Sequence, residues 1–498
     1  MKKTLMAVAL AAASGAFAAM QKITTVQVGN TTELVAAGAK LGELTGNQMI
    51  AGMATAALMQ NKLTEFFGPM RQGEPLPSAL FDVYVDIDKI GAAGGDAFDA
   101  TLLYPVVGTK EKFLKGHPGS AEKNGVIKLG NGSLFKYAAF SADGKWMAAG
   151  GNSALVLAAA NRTAAAAAGL RGNALRVSSG PKELSVILAA VDKYSVANPE
   201  TVDDRFYTLL KSVTSFDAAL KISNAGLDIS ASTTQAAGSV LAKFGLNQLG
   251  GDPFAFASSD VVFACAETAG ARSGTCKLDY EGQVKTLLGM LRKIGVDSGK
   301  FLDVAVKGCE VKCTVDVAAA VRYGMAATTN GVADAIAANC ASNGEEIVKT
   351  FNDNFSAKEL VPSTKPLYAS LAVKNYKGGC SMSQRYAASL PAVARKSPFS
   401  ACVFSYVSLF RAALPPMLSA LDEETRAGIQ PMLSMMPQEA KGAVAAATWR
   451  HGESFRHLMR ITPDELKGIG AIVNTVMSIG MMRSAQRART DDDDSDDN

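Results

Sequence analysis

The chain has 498 residues, 48% hydrophobic and 19% charged, a balance that belongs to globular proteins and excludes an intrinsically disordered one. The net charge of +4 is unevenly placed: without Lys2 and Lys3 there are 48 basic and 46 acidic residues, and six of the acids lie in Asp491–Asn498, leaving 48 against 40 on the body. No basic cluster with interleaved aromatics occurs, which argues against a nucleic-acid partner.

The N-terminus reads Met1-Lys2-Lys3, then an uncharged run from Thr4 to Ala13, then Ala16-Phe17-Ala18. A basic start, a short apolar stretch and a small-x-small site predict a signal peptide over residues 1–18, cleaved after Ala18. The mature protein is then expected in the periplasm or outside a bacterial cell. No transmembrane segment is expected in it, because the run from Gly468 to Met482 falls short of the ~20 residues a span needs.

The expected fold class is α+β, with antiparallel sheets built from hairpins and helices packed on one face, in several modules. An N-terminal α+β module is placed at 19–170, a middle module with hairpins at 171–360 and a C-terminal α+β module at 361–490. Residues 491–498 are expected to be a disordered acidic tail, since like charges in a block repel and stay solvated.

In chain order, Ile23–Val28 is strand-like. Thr32–Phe67 predicts one or two helices broken near Gly46. Phe81, Val83, Val85 and Ile87 alternate with Asp82, Tyr84, Asp86 and Asp88, a half-buried strand with its polar residues toward solvent. Phe98–Tyr104 is a second strand, Thr109 caps a short helix, and Asn152 or Ser153 caps an Ala-rich helix to about Ala168.

Three hairpins follow. Turning at Ser223-Asn224-Ala225-Gly226 sets Ile222 opposite Leu227 and Leu220 opposite Ile229. Turning at Lys307-Gly308 sets Val306 opposite Cys309, Val304 opposite Val311 and Leu302 opposite Cys313. A third hairpin turns about His451-Gly452. Between them, Val284, Leu287, Leu288, Leu291 and Ile294 form a helical stripe. Thr462-Pro463-Asp464-Glu465 predicts a helix start with Thr462 at the N-cap and Glu465 closing a capping box.

No catalytic signature of the common hydrolases, metalloproteases or nucleotide-binding enzymes is present. Asp86–Gly91 opens like a calcium loop but lacks the third acid and the twelfth-position Glu, so no metal site is assigned. His117, His451 and His457 are read as structural, and Trp146 and Trp449 as core seals beside hairpin turns. No catalytic, cofactor-binding or metal residue and no cofactor is assigned.

The seven cysteines all fall between Cys265 and Cys402. If the chain folds back at Gly270-Ala271, Val261 opposes Tyr280, Phe263 opposes Leu278 and Cys265 opposes Cys276. Cys265–Cys276 is therefore the candidate disulfide, at the ~4.5–5.5 Å of directly opposed residues.

The function this favours is a non-catalytic, exported cell-envelope protein presenting binding surfaces to a protein, lipid or polymer. One alternative is a secreted hydrolase with a site assembled from distant residues. The other is a periplasmic carrier of an apolar ligand, lined by Met-rich segments such as Pro431–Met436.

Overall fold

The computed structural model describes residues 20–47, 49, 52, 78–90, 97–106, 108–161, 175–197, 204–272, 280–355, 359–378, 380–419, 423, 426–427 and 441–477. The expected signal peptide, most of 50–67, the Pro431–Met436 segment, Cys276 and the acidic tail lie outside them. The fold is α+β, with sheets that are mostly antiparallel. The chain divides into two compact units, one formed mainly by residues before 243 and one mainly by residues from 243 onward. Helix α1 (Thr31–Thr45) stops where the sequence predicts a break, at Gly46.

In the first unit the strands are β1 (Met20–Val28), β2 (Ala79–Asp86), β3 (Phe98–Pro105), β4 (Ala121–Lys123), β5 (Val126–Lys128), β6 (Tyr137–Phe140), β7 (Trp146–Gly150), β8 (Leu175–Ser179), β9 (Val213–Ser223) and β10 (Gly226–Gln235). They pair in the order β4-β5-β6-β7-β3-β2-β1-β8-β9-β10. Helix α2 (Lys110–Gly116) is capped by Thr109, whose side chain accepts from Lys112 N–H. Helix α3 (Ser153–Ala160) is capped by Asn152, which accepts from Ala154 and Leu155. Helices α4 (Pro181–Ala197) and α5 (Asp204–Lys211) follow.

The strand β2 corrects the alternation reading. Asp82 is fully buried and Asp86 is 3% exposed, where the sequence pattern points both toward solvent. β2 lies between β1 and β3 and is covered on both sides: Leu80 packs with Leu103, Ala148 and Val156, while Phe81 packs with Leu102 and Met147. A strand covered twice has no solvent face, so its polar residues must find partners inside. Thr25 Oγ1 donates to Asp82 Oδ1 at 2.7 Å. Asp86 accepts from Asp88 N–H at 3.2 Å and pairs with Lys89 Nζ at 3.2 Å.

The hairpin of β9 and β10 keeps the expected register where its side chains bond. Ser215 Oγ donates to Thr234 Oγ1 at 2.8 Å and Ser230 Oγ to Ala219 O at 3.5 Å. Both are pairs of the ladder that sets Leu220 against Ile229.

In the second unit the strands are β11 (Val261–Arg272), β12 (Leu302–Lys307), β13 (Glu310–Val315), β14 (Glu359–Val373), β15 (Pro398–Phe404), β16 (Val444–His451) and β17 (Ser454–Ile461). Their order is β12-β13-β14-β11-β15-β16-β17, and β13–β14 is the one parallel pair among the registers of this sheet. The helices are α6 (Tyr280–Lys293), α7 (Val317–Thr329), α8 (Val332–Phe355), α9 (Met382–Ser389), α10 (Ala392–Arg395), α11 (Tyr406–Ser419) and α12 (463–477). One sheet face is dry: Ala264, Ala266, Ala401, Val403, Ala445 and Ala447 pack against Met382, Tyr386 and Leu390 of α9 and its end, and Ala394 of α10. Alanines along the strands let α9 approach closely. Trp449 packs on this core and Trp146 on one in the first unit, as their positions predict.

Two hairpins of this unit turn one residue later than the sequence suggests. Lys307 pairs with Glu310, so the turn is Gly308-Cys309, and the opposed pairs are Val306–Val311, Val304–Cys313 and Leu302–Val315. His451 pairs with Ser454, so the turn is Gly452-Glu453. Gly308 has φ +61° and Gly452 φ +62°. A two-residue turn that needs positive φ at its first central position takes Gly there. The predicted placement would have put Lys307 or His451 at that position. The slip moves partners by two along the facing strand, so the apolar face survives.

Candidate functional site

The groups with most chemical interest sit in the second unit, and the sequence points to few of them. The face of the sheet opposite the α9 core is built from rows that run across the strands. One row holds Val306, Val311, Ala369, Cys265, Cys402, Ala446 and Met459, each half-buried. The row on one side of it holds Val304, Cys313, Leu371, Phe263, Phe404, Val444 and Ile461, of which Val444 is buried. The row on its other side holds Leu367, Glu267, Ser400, Thr448 and His457.

Cys265 and Cys402 are directly opposed on β11 and β15 and form a disulfide with Cα atoms 4.2 Å apart. This corrects the pairing expected from sequence, Cys265 with Cys276. The chain does not fold back at Gly270-Ala271. β11 continues to Arg272, paired with β14, and Tyr280, expected opposite Val261, opens a helix. The cysteine that opposes Cys265, on β15, lies 137 residues further along the chain. Among the described residues, Cys309, Cys313, Cys340 and Cys380 are free thiols. Burial, with Asp303 nearby, raises the pKa of the Cys313 thiol.

The polar row has two ionisable groups. Burial raises the pKa of Glu267, and among the described residues neither its carboxyl nor the Ser400 hydroxyl has a hydrogen bond or ion pair. His457 Nδ1 and Thr448 Oγ1 share a hydrogen bond at 3.0 Å. Burial lowers the His457 pKa, so the ring is neutral at pH 7. A hydroxyl beside a neutral imidazole is half of a nucleophile–base arrangement. The orienting acid is not at the imidazole: Glu267 stands three strands away, about 14 Å at the ~4.8 Å strand spacing.

His117, Arg385 and Glu465 make their contacts within the fold. His117 Nδ1 bonds Phe113 O at 3.0 Å, its ring 4.2 Å from that of Phe113. His451 ends β16 and is exposed. Glu465 is fully buried and Arg385 is 2% exposed. Arg385 Nη1 donates to Gly442 O at 2.9 Å and Nε to Cys380 O at 3.4 Å. Glu465 accepts from Ser405 and Val407 at the start of α11. The capping box expected at Thr462 is therefore absent: Thr462 Oγ1 accepts from Ala443 N–H at 2.9 Å, and Glu465 serves another helix.

Among the described residues, no group of three or more His, Cys, Asp or Glu could hold a metal ion, and no helix is long and apolar enough to cross a membrane. An open hollow of about 550 Å³ is lined by Gly344, Glu345, Val348 and Lys349 of α8. Comparison with protein-family models, with curated proteins and with solved structures finds no match.

Proposed function

We propose that this chain is an exported cell-envelope protein that binds an apolar partner, and that the half-buried sheet face of its second unit is the binding surface. The observation that carries the reading is the contrast between the two faces of one sheet. Ala264, Ala266, Val403 and Ala445 are 0% exposed on the face under α9. On the other face Phe263, Cys265, Cys402, Phe404, Ala446 and Met459 are all in part open to solvent. A contiguous apolar surface rimmed by polar groups is the ordinary mark of a ligand or partner site. The disulfide between β11 and β15 would keep that surface flat and rigid, and oxidation suits an exported protein.

The test is photo-cross-linking in the native host. A photoreactive residue at Met459 or Ala446 is expected to capture a discrete envelope component, and one at exposed Glu453 is not. Equal labelling at all three positions overturns the reading.

A second reading, a secreted hydrolase, draws on the Thr448–His457 hydrogen bond alone. It requires that His457→Ala abolish an ester- or amide-cleaving activity while leaving the melting temperature unchanged.

A further inference from the structure

We propose that the row Glu267–Ser400 is the head-group site of this face, and that it takes a primary ammonium group at the end of an apolar chain. The inference rests on the reading of the face as a binding surface and adds the chemistry of its occupant.

Glu267 stands on β11, directly opposite Ser400 on β15 and two residues from Cys265. Among the described residues its carboxyl has no cation and no hydrogen-bond donor, although it is half-buried on an apolar sheet. A carboxylate in that position has lost part of its hydration without compensation. Its neighbours in the row cannot supply a charge. Ser400 and Thr448 are hydroxyls, and His457 is neutral at pH 7 and committed to Thr448.

The complement this carboxylate lacks among the described residues is a cation, which a ligand can bring. An ammonium carries three donors and no acceptor. Glu267 and Ser400 are directly opposed on neighbouring strands, with Cα atoms ~4.5–5.5 Å apart, so the carboxylate and the hydroxyl offer two adjacent acceptors to one such group. An anionic head would meet the carboxylate with like charge, and an uncharged hydroxyl head would offer it one hydrogen bond and no opposite charge.

The chain attached to the ammonium follows from what lies beside the row. One step along the strands, about 6.7 Å, is the Cys265–Cys402 disulfide with Ala446 and Met459, and a second step reaches Phe263 and Phe404. Neither row presents a charged side chain. A chain laid along β11 and β15 from the Glu267 end thus meets only apolar surface for two rows.

The test uses three probes of one chain length, octylammonium, 1-octanol and octanoate, titrated into the purified oxidised protein and followed by calorimetry. Octylammonium is expected to bind at least tenfold tighter than octanol, and octanoate weaker than either. Glu267→Gln should erase the preference for the amine and leave octanol binding as it was. Ser400→Ala should weaken the amine by a few-fold. Melting curves of both variants are compared with the parent, and Ser400→Ala keeps the test decisive should Glu267→Gln not fold. Equal binding of the three probes, tighter octanoate, absence of binding, or an unchanged preference in Glu267→Gln overturns the ammonium site. None of these outcomes depends on the cross-linking at Met459, so the head-group assignment and the reading of the face fail separately.

Discussion

The carboxylate of Glu465 accepts the hydroxyl of Ser405 at 2.9 Å, sixty residues away in the chain, and thereby caps a helix other than its own. Ser405 is the residue before α11, and its Oγ in turn accepts from Ser408 N–H at 3.0 Å. Glu465 Oε1 accepts from Val407 N–H at 3.1 Å. The start of α11 is thus satisfied by two side chains, one local and one from α12.

Glu465→Ala should destabilise the protein by about 2–4 kcal/mol, because it strips buried donors of a charged acceptor. Glu465→Gln keeps the shape and one acceptor and should cost far less. The two variants also separate by pH. Burial raises the pKa of Glu465, its hydrogen bonds and Arg385 only partly opposing this. A raised folded-state pKa means stability that is full below the unfolded value and is lost as pH rises through the folded one. The parent should therefore lose ground to Glu465→Gln as pH climbs from below 4.5. Melting curves of both proteins across pH 4–8 check this, and parallel curves would refute it.

The two late-turning hairpins give a second prediction. Gly308→Val should cost about 1–2 kcal/mol, since the side chain meets a left-handed backbone. Lys307→Gly should also destabilise, by about 0.5–1 kcal/mol, because Lys307 is a strand residue paired with Glu310. A turn at Lys307-Gly308 would instead make Lys307→Gly neutral or stabilising. Urea midpoints of the two variants decide between the registers.

These cases show what was legible in the sequence. Alternation places β12, β13, β16 and β17 and their apolar faces correctly, because period two survives any even slip of register. The exact partners depend on which residue takes positive φ, and two adjacent positions compete for that. Caps at Thr109 and Asn152 are local and were readable. The cap at Glu465 was half-readable: its position before a helix is a sequence signal, but its recipient is a tertiary fact. The row Glu267–Ser400–Thr448–His457 left no local trace, since its members come from four strands spread over 190 residues. Asp82 misled because its strand is covered on both faces, and alternation cannot report a second cover.

The proposed export makes a direct prediction at the N-terminus. Mass spectrometry of the protein from its native host should find Ala19 as the first residue, after cleavage at Ala16-Phe17-Ala18. Recovery of a chain beginning at Met1 from the envelope fraction would remove the basis for placing it outside the cytoplasm.

The last prediction concerns the Cys265–Cys402 bond. Non-reducing peptide maps should contain one cross-linked pair joining the peptides of Cys265 and Cys402. Alkylation without reduction should label Cys309, Cys313, Cys340 and Cys380, with exposed Cys340 fast and Cys313 slow, its thiol pKa being raised by burial. The bond closes a chain of 137 residues, which in the chain-entropy account restricts the unfolded state by about 5 kcal/mol. Native bonds deliver about 2–4 kcal/mol in practice. At roughly 2–4 °C per kcal/mol for a unit of this size, the double variant Cys265→Ala, Cys402→Ala should melt about 5–15 °C below the oxidised parent. Its melting temperature should match that of the fully reduced parent, because both lack the same constraint. Labelling of Cys265 before reduction, or its recovery in a peptide joined to Cys276, would overturn the pairing and with it the cross-link between β11 and β15 beneath the proposed binding face.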